Sequence, residues 1–181
     1  MTDPYLCGEC GEPMTRVPAC VPYPECGLDN VMLHKVPVWE CVNGHQDLQV
    51  PAVDELHQVL ALAIITQSWR LRGQDVRFLR KHLGYTARHF SALVGLSHIT
   101  LSRFENNRSE IPRKMDALVR LFAAQVFSEK THAALPTPVI PVLQELEAGG
   151  STLTPHNQLI EHVDTGEMAE PRHVWQPAVA C

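Results

Sequence analysis

The chain has 181 residues, a formal net charge of −5 and 45% hydrophobic residues, a length that suits one ordinary domain or two small ones. Its longest apolar run, VLALAII at residues 59–65, is too short to cross a bilayer, which excludes a membrane anchor there. No nucleophile elbow, Walker loop or dinucleotide fingerprint occurs in the sequence, so we do not expect an enzyme.

The first predicted element is a metal-binding segment, because five of the six cysteines lie between Cys7 and Cys41. Cys7 and Cys10 have the two-residue spacing that lets one turn present two thiolates to a tetrahedral ion, and the spacing from Cys41 to His45 also suits zinc. We predict a structural zinc site with the ligands Cys7, Cys10, Cys41 and His45. Cys20 or Cys26 could replace His45 or form a separate site.

The start of the sequence bears on the cellular compartment, because it shows no basic, apolar leader of the kind that directs secretion. We therefore expect a cytoplasmic protein with reduced cysteines rather than disulfides.

Residues 1–50 are predicted to form a small β-rich zinc finger, because Val31 to Trp39 alternates apolar and polar residues as a hairpin or strand pair does. A connecting helix follows within residues 51–72, predicted from Val53 to Arg70. Leu56, Leu60, Ala63 and Ile64 lie on one face of that helix.

Residues 73–130 are predicted to form four short helices. The first runs from about Gln74 to Leu83, the second is capped by Thr86, the third by Ser97, and the fourth begins at Pro112. Gly95 can supply the positive φ of the turn between the second and third helices. This is a helix-turn-helix pattern, which indicates DNA binding.

The buried positions of these helices are predicted from their apolar spacing. They are Val76, Leu79 and Leu83, then Phe90, Leu93 and Val94, then Leu101 and Phe104, and finally Met115, Val119, Phe122 and Val126.

The third helix leaves a second face for base contacts, formed by His98, Ile99, Thr100, Ser102 and Arg103. Arg88 and Arg108 complete the predicted DNA-binding residues. Residues 70–120 hold eleven Lys and Arg against four acidic residues, whereas residues 1–69 hold two against nine. This basic block coincides with the helix-turn-helix and is what a polyanion binder requires.

Residues 131–181 are rich in proline and acidic residues, and we predict a poorly structured tail with one short helix from Val139 to Ala148. The predicted fold class is thus mainly α, with a small N-terminal β-rich finger and a C-terminal tail.

The sequence from Leu71 to Ala124, which includes LSRFENNRSEIPRKMDALVRLFAA, resembles Xre/Cro-type helix-turn-helix domains. In particular it resembles those of the MqsA antitoxin and regulator family, which carries a YgiT-type zinc finger. Residues 26–65 resemble the zinc-finger half and the connecting helix of that family. The resemblance implies a homodimeric transcription repressor that binds double-stranded DNA, with a ribonuclease toxin as a possible partner of the N-terminal half. It also implies a DNA-contacting role for Arg103 and pairing of Glu105 with Arg77 or Arg80.

Three positions depart from that family's pattern. Ala87 stands where the family usually has Gln, and Ser91 where it usually has Ala. Gly44 stands where a second CxxC pair would place its last cysteine. The first departure removes an expected DNA contact, so we expect a different operator.

Two functions are therefore expected. The first is an autoregulating repressor. The alternative is a protein-sequestering antitoxin or interaction module whose acidic N-terminal half masks a basic ribonuclease, with DNA binding secondary.

Overall fold

The computed structural model describes residues 5–131, 139–147, 158–164 and 173–177. These residues divide into two compact units. The first unit combines residues 5–23, 30–56, 158–164 and 173–177, and the second combines residues 24–29, 57–131 and 139–147. The described residues hold six α-helices and a sheet, so the expectation of a mainly α chain with an N-terminal β region agrees with the structure.

The sheet of the first unit is centred on a long strand, β2 (Val31–Cys41). Strand β1 (Met14–Pro22) pairs antiparallel with it along most of its length. On the other edge of β2, β3 (Gln46–Leu48) pairs antiparallel with its last residues and β4 (Gln158–Asp164) pairs parallel with its first residues. Strand β5 (His173–Pro177) pairs antiparallel with β4. The β-structure predicted from Val31 to Trp39 is therefore confirmed, but these residues form one continuous strand and not the expected hairpin or strand pair.

The C-terminal strands correct the prediction of a poorly structured tail. Ile160 of β4 and Trp175 of β5 are buried, and the Trp175 indole Nε1 donates a hydrogen bond to the carbonyl of Pro51 at 3.1 Å. The pairing of β4 with β2 joins residues 127 positions apart, as Val31 opposite Gln158 illustrates. Local composition carries no signal of such pairing. The predicted short helix is confirmed as α6 (Val139–Glu147).

The second unit is helical. Its helices are α1 (Val53–Thr66), whose first four residues belong to the first unit, α2 (Gly73–His82), α3 (Ala87–Leu93), α4 (His98–Glu105), α5 (Arg113–Thr131) and α6. No helix within the described ranges is long and apolar enough to span a membrane.

Helix α1 ends four residues before the predicted Arg70, and Arg120 of α5 binds carbonyls of its last turn and of the segment that follows it. This guanidinium is 0% exposed and donates to the carbonyls of Ile65 at 3.0 Å, Gln67 at 2.8 Å and Trp69 at 2.6 Å. Its Nε also donates to Asp116 at 2.6 Å. The side chain thus satisfies carbonyls that a helix end leaves without intrahelical partners.

The predicted caps and most of the predicted core are confirmed. The Thr86 hydroxyl accepts a hydrogen bond from the backbone of His89 at 3.2 Å, and the Ser97 hydroxyl accepts one from Thr100 at 3.0 Å. Leu93 is an error in the predicted core, because it is 48% exposed. Helix α3 has only seven residues, and its buried face is formed by Phe90 and Ser91, with Val94 directly after it.

Met115 and Phe122 of α5 are half-buried, whereas Val119 and Val126 of the same predicted stripe are buried.

Candidate functional site

The metal-ligand candidates come from two turns that the strand register places side by side. Cys7 and Cys10 lie in the turn ahead of β1, Cys41 is the last residue of β2, and His45 precedes β3. Because Met14 at the start of β1 pairs with Cys41, the two turns meet at the same end of the strand pair.

The predicted four residues form one cluster, in which all four ligand atoms lie within 4.8 Å of one another. The His45 Nδ1 atom lies 3.5 Å from Cys7 Sγ, 3.4 Å from Cys10 Sγ and 3.5 Å from Cys41 Sγ. Cys10 Sγ lies 3.7 Å from Cys41 Sγ. These residues could hold a metal ion.

The two turns have matching backbone features. The amide of Gly11 donates to the carbonyl of Cys7 at 2.9 Å, and the amide of Gly44 donates to the carbonyl of Cys41 at 3.0 Å. Both glycines have positive φ, 75° and 80°, which side chains other than glycine rarely adopt. Gly44 therefore shapes the second turn at the position where a CxxC pair would have its last cysteine.

The electrostatics of the cluster favour a thiolate at Cys10. The hydrogen bond from the Asn43 side chain, followed by that from the backbone of Glu12, lowers the pKa of the Cys10 thiol to about 6. Hydrogen bonds with Cys10 and Cys7 raise the pKa of His45. Cys7 and Cys41 are buried while Cys10 is exposed, so the cluster reaches solvent on the Cys10 side.

Two neighbours of the cluster were missed by sequence reasoning. The Glu9 carboxylate lies 3.3 Å from His45 Nε2, the ring nitrogen that faces away from the sulfur atoms. Trp39 packs against Cys7 and Cys41, and the ring of Tyr5 lies on Trp39 with centroids 4.8 Å apart. Glu9 could have been identified from the sequence, since it lies between the two cysteines of the first turn.

The other two N-terminal cysteines lie outside the cluster. Cys26 belongs to a short 3-10 helix of the second unit, Pro24–Cys26, and burial raises the pKa of its thiol. Cys20 lies on β1 and is disulfide-bonded. The expectation of reduced cysteines is therefore wrong for Cys20, and neither residue is the fourth ligand.

The predicted DNA-binding residues lie on and around α4. His98, Ile99, Ser102 and Arg103 are exposed on this helix, whereas Thr100 is half-buried with its hydroxyl 2.8 Å from that of Ser97.

Arg88 of α3 and Arg108 after α4 are also exposed, and the amide of Arg108 donates to the carbonyl of Arg103 at 2.8 Å.

The acidic residues of the basic block are mostly buried in ion pairs. Asp75 pairs with Arg72, Glu105 with Arg80, and Asp116 with Arg120. Of the two partners expected for Glu105, Arg80 is the nearer. Its Nε lies 2.6 Å from the Glu105 carboxylate, whereas Arg77 Nε lies 3.7 Å away.

Only Glu110 of the four acids remains exposed. Among the residues that the structure describes, seven exposed cations of the block take part in no ion pair: Arg70, Lys81, Arg88, Arg103, Arg108, Arg113 and Lys114.

Comparison with protein-family models, curated proteins and solved structures finds no match to this chain.

Proposed function

We propose that this protein is a sequence-specific DNA-binding transcription regulator, a repressor of its own operon of the antitoxin type, with a structural zinc site. The observation that carries the proposal is the exposed face of α4, which combines base-reading side chains with unpaired cations in the second unit.

The arrangement of α3 and α4 supports a helix-turn-helix. The two helices pack together and are joined by residues 94–97, with Gly95 at a φ of 69° and Ser97 capping α4. Leu101 and Phe104 anchor α4 in the core, so His98, Ser102 and Arg103 remain available on its outer side. A recognition helix needs such exposed side chains near its N-terminus to contact base edges in the major groove.

The charge distribution supports a phosphate backbone as the ligand. Because three of the four acids of the block are buried with their own arginines, they do little to offset the exposed cations. Each phosphate that these cations neutralise would steepen the dependence of log K on log salt by about 0.9.

The distances in the cluster support zinc as its metal. A tetrahedral ion with Zn–S bonds of about 2.3 Å and Zn–N bonds of about 2.0 to 2.1 Å sets sulfur atoms about 3.8 Å apart, and sulfur and nitrogen about 3.6 Å apart. The observed separations are 3.7 Å between the sulfurs of Cys10 and Cys41 and 3.4 to 3.5 Å from nitrogen to sulfur, and all four ligand atoms lie within 4.8 Å of one another. Four protein ligands close the coordination sphere, so the metal's role is structural.

The same proposal includes a homodimer, because helix-turn-helix proteins read paired half-sites with two-fold symmetry.

The test is fluorescence anisotropy on duplex DNA from upstream of the gene, against a scrambled duplex, at two salt concentrations. We expect tight, salt-sensitive binding to the first duplex only. Arg103→Ala should weaken specific binding by about 1 to 3 kcal/mol, whereas Arg108→Ala, at a proposed phosphate contact, should weaken binding to both duplexes alike. Lys35→Ala, in the first unit, is the control. Equal weak binding to both duplexes would refute the proposal.

The charge of the first unit favours a second function, sequestration of a basic protein such as a ribonuclease toxin. The described residues of this unit include eight acidic and two basic ones. Charge complementarity of this kind speeds association and selects partners. Copurification of a basic protein encoded next to the gene, lost at high salt, would support it. A lone gene and no copurifying protein would contradict it.

A further inference from the structure

We infer that Ile99 recognises the 5-methyl group of a thymine in the DNA major groove, so that part of the sequence preference is for the methyl group itself. This inference rests on the proposed function and assigns a ligand group to one residue of the proposed recognition helix.

The first observation is that Ile99 is exposed although its helix has a buried apolar side. Ile99 is 65% exposed, whereas Leu101 and Phe104 of the same helix are 1% and 6% exposed. Those two residues already attach α4 to the core, so the side chain of Ile99 adds little to the packing of the unit.

The second observation is the location of Ile99 in the first turn of α4. Ser97 caps that turn, and the exposed neighbours His98, Ser102 and Arg103 are all polar or charged. A single exposed apolar residue is ordinary on a protein surface. Here it is the one apolar side chain among polar ones that would face base edges.

The chemistry of the groove then limits what Ile99 could read. Its side chain can neither donate nor accept a hydrogen bond, so it cannot read the polar edges of guanine, adenine or cytosine. Thymine alone of the four bases presents a methyl group in the major groove. The polar neighbours remain available for hydrogen bonds to adjacent bases.

The size of the effect follows from burying one methyl group. Such burial stabilises a complex enough to change its dissociation constant about fourfold. Each thymine that Ile99 contacts should therefore lose about fourfold in affinity when deoxyuridine replaces it, since deoxyuridine differs only in lacking the methyl group.

The experiment begins with selection of a tight-binding duplex from a random library by the full-length protein. The thymines of the selected duplex are then replaced one at a time by deoxyuridine, and dissociation constants are measured by anisotropy for the wild type and for Ile99→Ser. Leu93→Ser is the matched control, because Leu93 is an exposed apolar residue of the neighbouring helix α3. Thermal unfolding of each variant checks that the fold is unchanged.

We expect at least one thymine whose replacement weakens wild-type and Leu93→Ser binding about fourfold and leaves Ile99→Ser binding unchanged. A selected duplex at which no deoxyuridine substitution matters, or at which the effect persists in Ile99→Ser, would overturn the inference and leave the proposed function standing. Failure to enrich any duplex would overturn both.

Discussion

Arg80 of α2 and Glu105 of α4 form a buried, two-pronged ion pair. Arg80 Nε donates to Glu105 Oε1 at 2.6 Å and Nη2 donates to Oε2 at 2.9 Å, with the two side chains only 10% and 6% exposed. Nη1 donates to the carbonyl of Tyr85 at 3.0 Å. One guanidinium therefore ties α4 to α2 and to the segment that leads into α3, and it fixes the orientation of the exposed face of α4.

Removal of either partner of this pair should destabilise the second unit strongly. We expect Arg80→Ala to lower the free energy of unfolding by about 3 to 5 kcal/mol, because it leaves the Glu105 carboxylate buried without its partner. Arg77→Ala is the control. Arg77 is 41% exposed and 3.7 Å from Glu105, so its loss should cost less than about 1 kcal/mol. Urea unfolding measures both, and equal losses would contradict a dominant role for Arg80.

Gly73, the first residue of α2, lies very close to the end of α4. A Cβ atom at this position would lie 2.0 Å from the carbonyl oxygen of Phe104, and the amide of Gly73 donates to the Asn107 side chain at 3.0 Å. We therefore expect Gly73→Ala to lower the free energy of unfolding by about 1 to 3 kcal/mol through overpacking.

Gly8→Ala is the control for Gly73, since a Cβ atom there would have no neighbour within 4 Å. Thermal unfolding measures both variants, and an unchanged stability of Gly73→Ala would mean that α2 and α4 can separate without cost.

The cysteine and histidine cluster should hold one zinc ion per chain. We expect Cys10→Ser to reduce the zinc content of the purified protein well below one equivalent, because three ligands no longer close the site. Cys26→Ser should keep its zinc, since Cys26 lies outside the cluster. Mass spectrometry of the metal content measures both. Full zinc in Cys10→Ser would show that the cluster does not bind the metal as proposed.

Glu9 should orient His45 within that site. Its carboxylate lies 3.3 Å from Nε2, which leaves Nδ1 toward the three sulfurs, and such outer partners typically change metal affinity by about 10- to 100-fold. We expect Glu9→Gln to lose zinc to a competing chelator at a concentration about tenfold lower than the wild type requires. Glu12→Gln, in the same turn, should match the wild type. An equal loss in both variants would assign the effect to the charge of the turn rather than to His45.

The sequence was sufficient where the signals are local. Apolar spacing predicted α2 to α4, and the hydroxyls of Thr86 and Ser97 predicted the caps of α3 and α4, because a helix repeats every 3.6 residues and its ends need donors or acceptors a few residues away. The ligand spacing predicted the four members of the metal cluster for a similar reason. Each turn brings its own two ligands together, so the missing information was only that the turns meet.

The tertiary structure decided what depends on residues far apart in the chain. The sequence could not show that β4 and β5 join the N-terminal sheet, because strand pairing across more than one hundred residues leaves no local pattern. It also could not show that Arg120 would be fully buried against the end of α1, or that three of the four acids of the basic block would be buried with their own arginines. A count of charges treats every ionised side chain alike, whereas burial and pairing determine which charges a partner can meet.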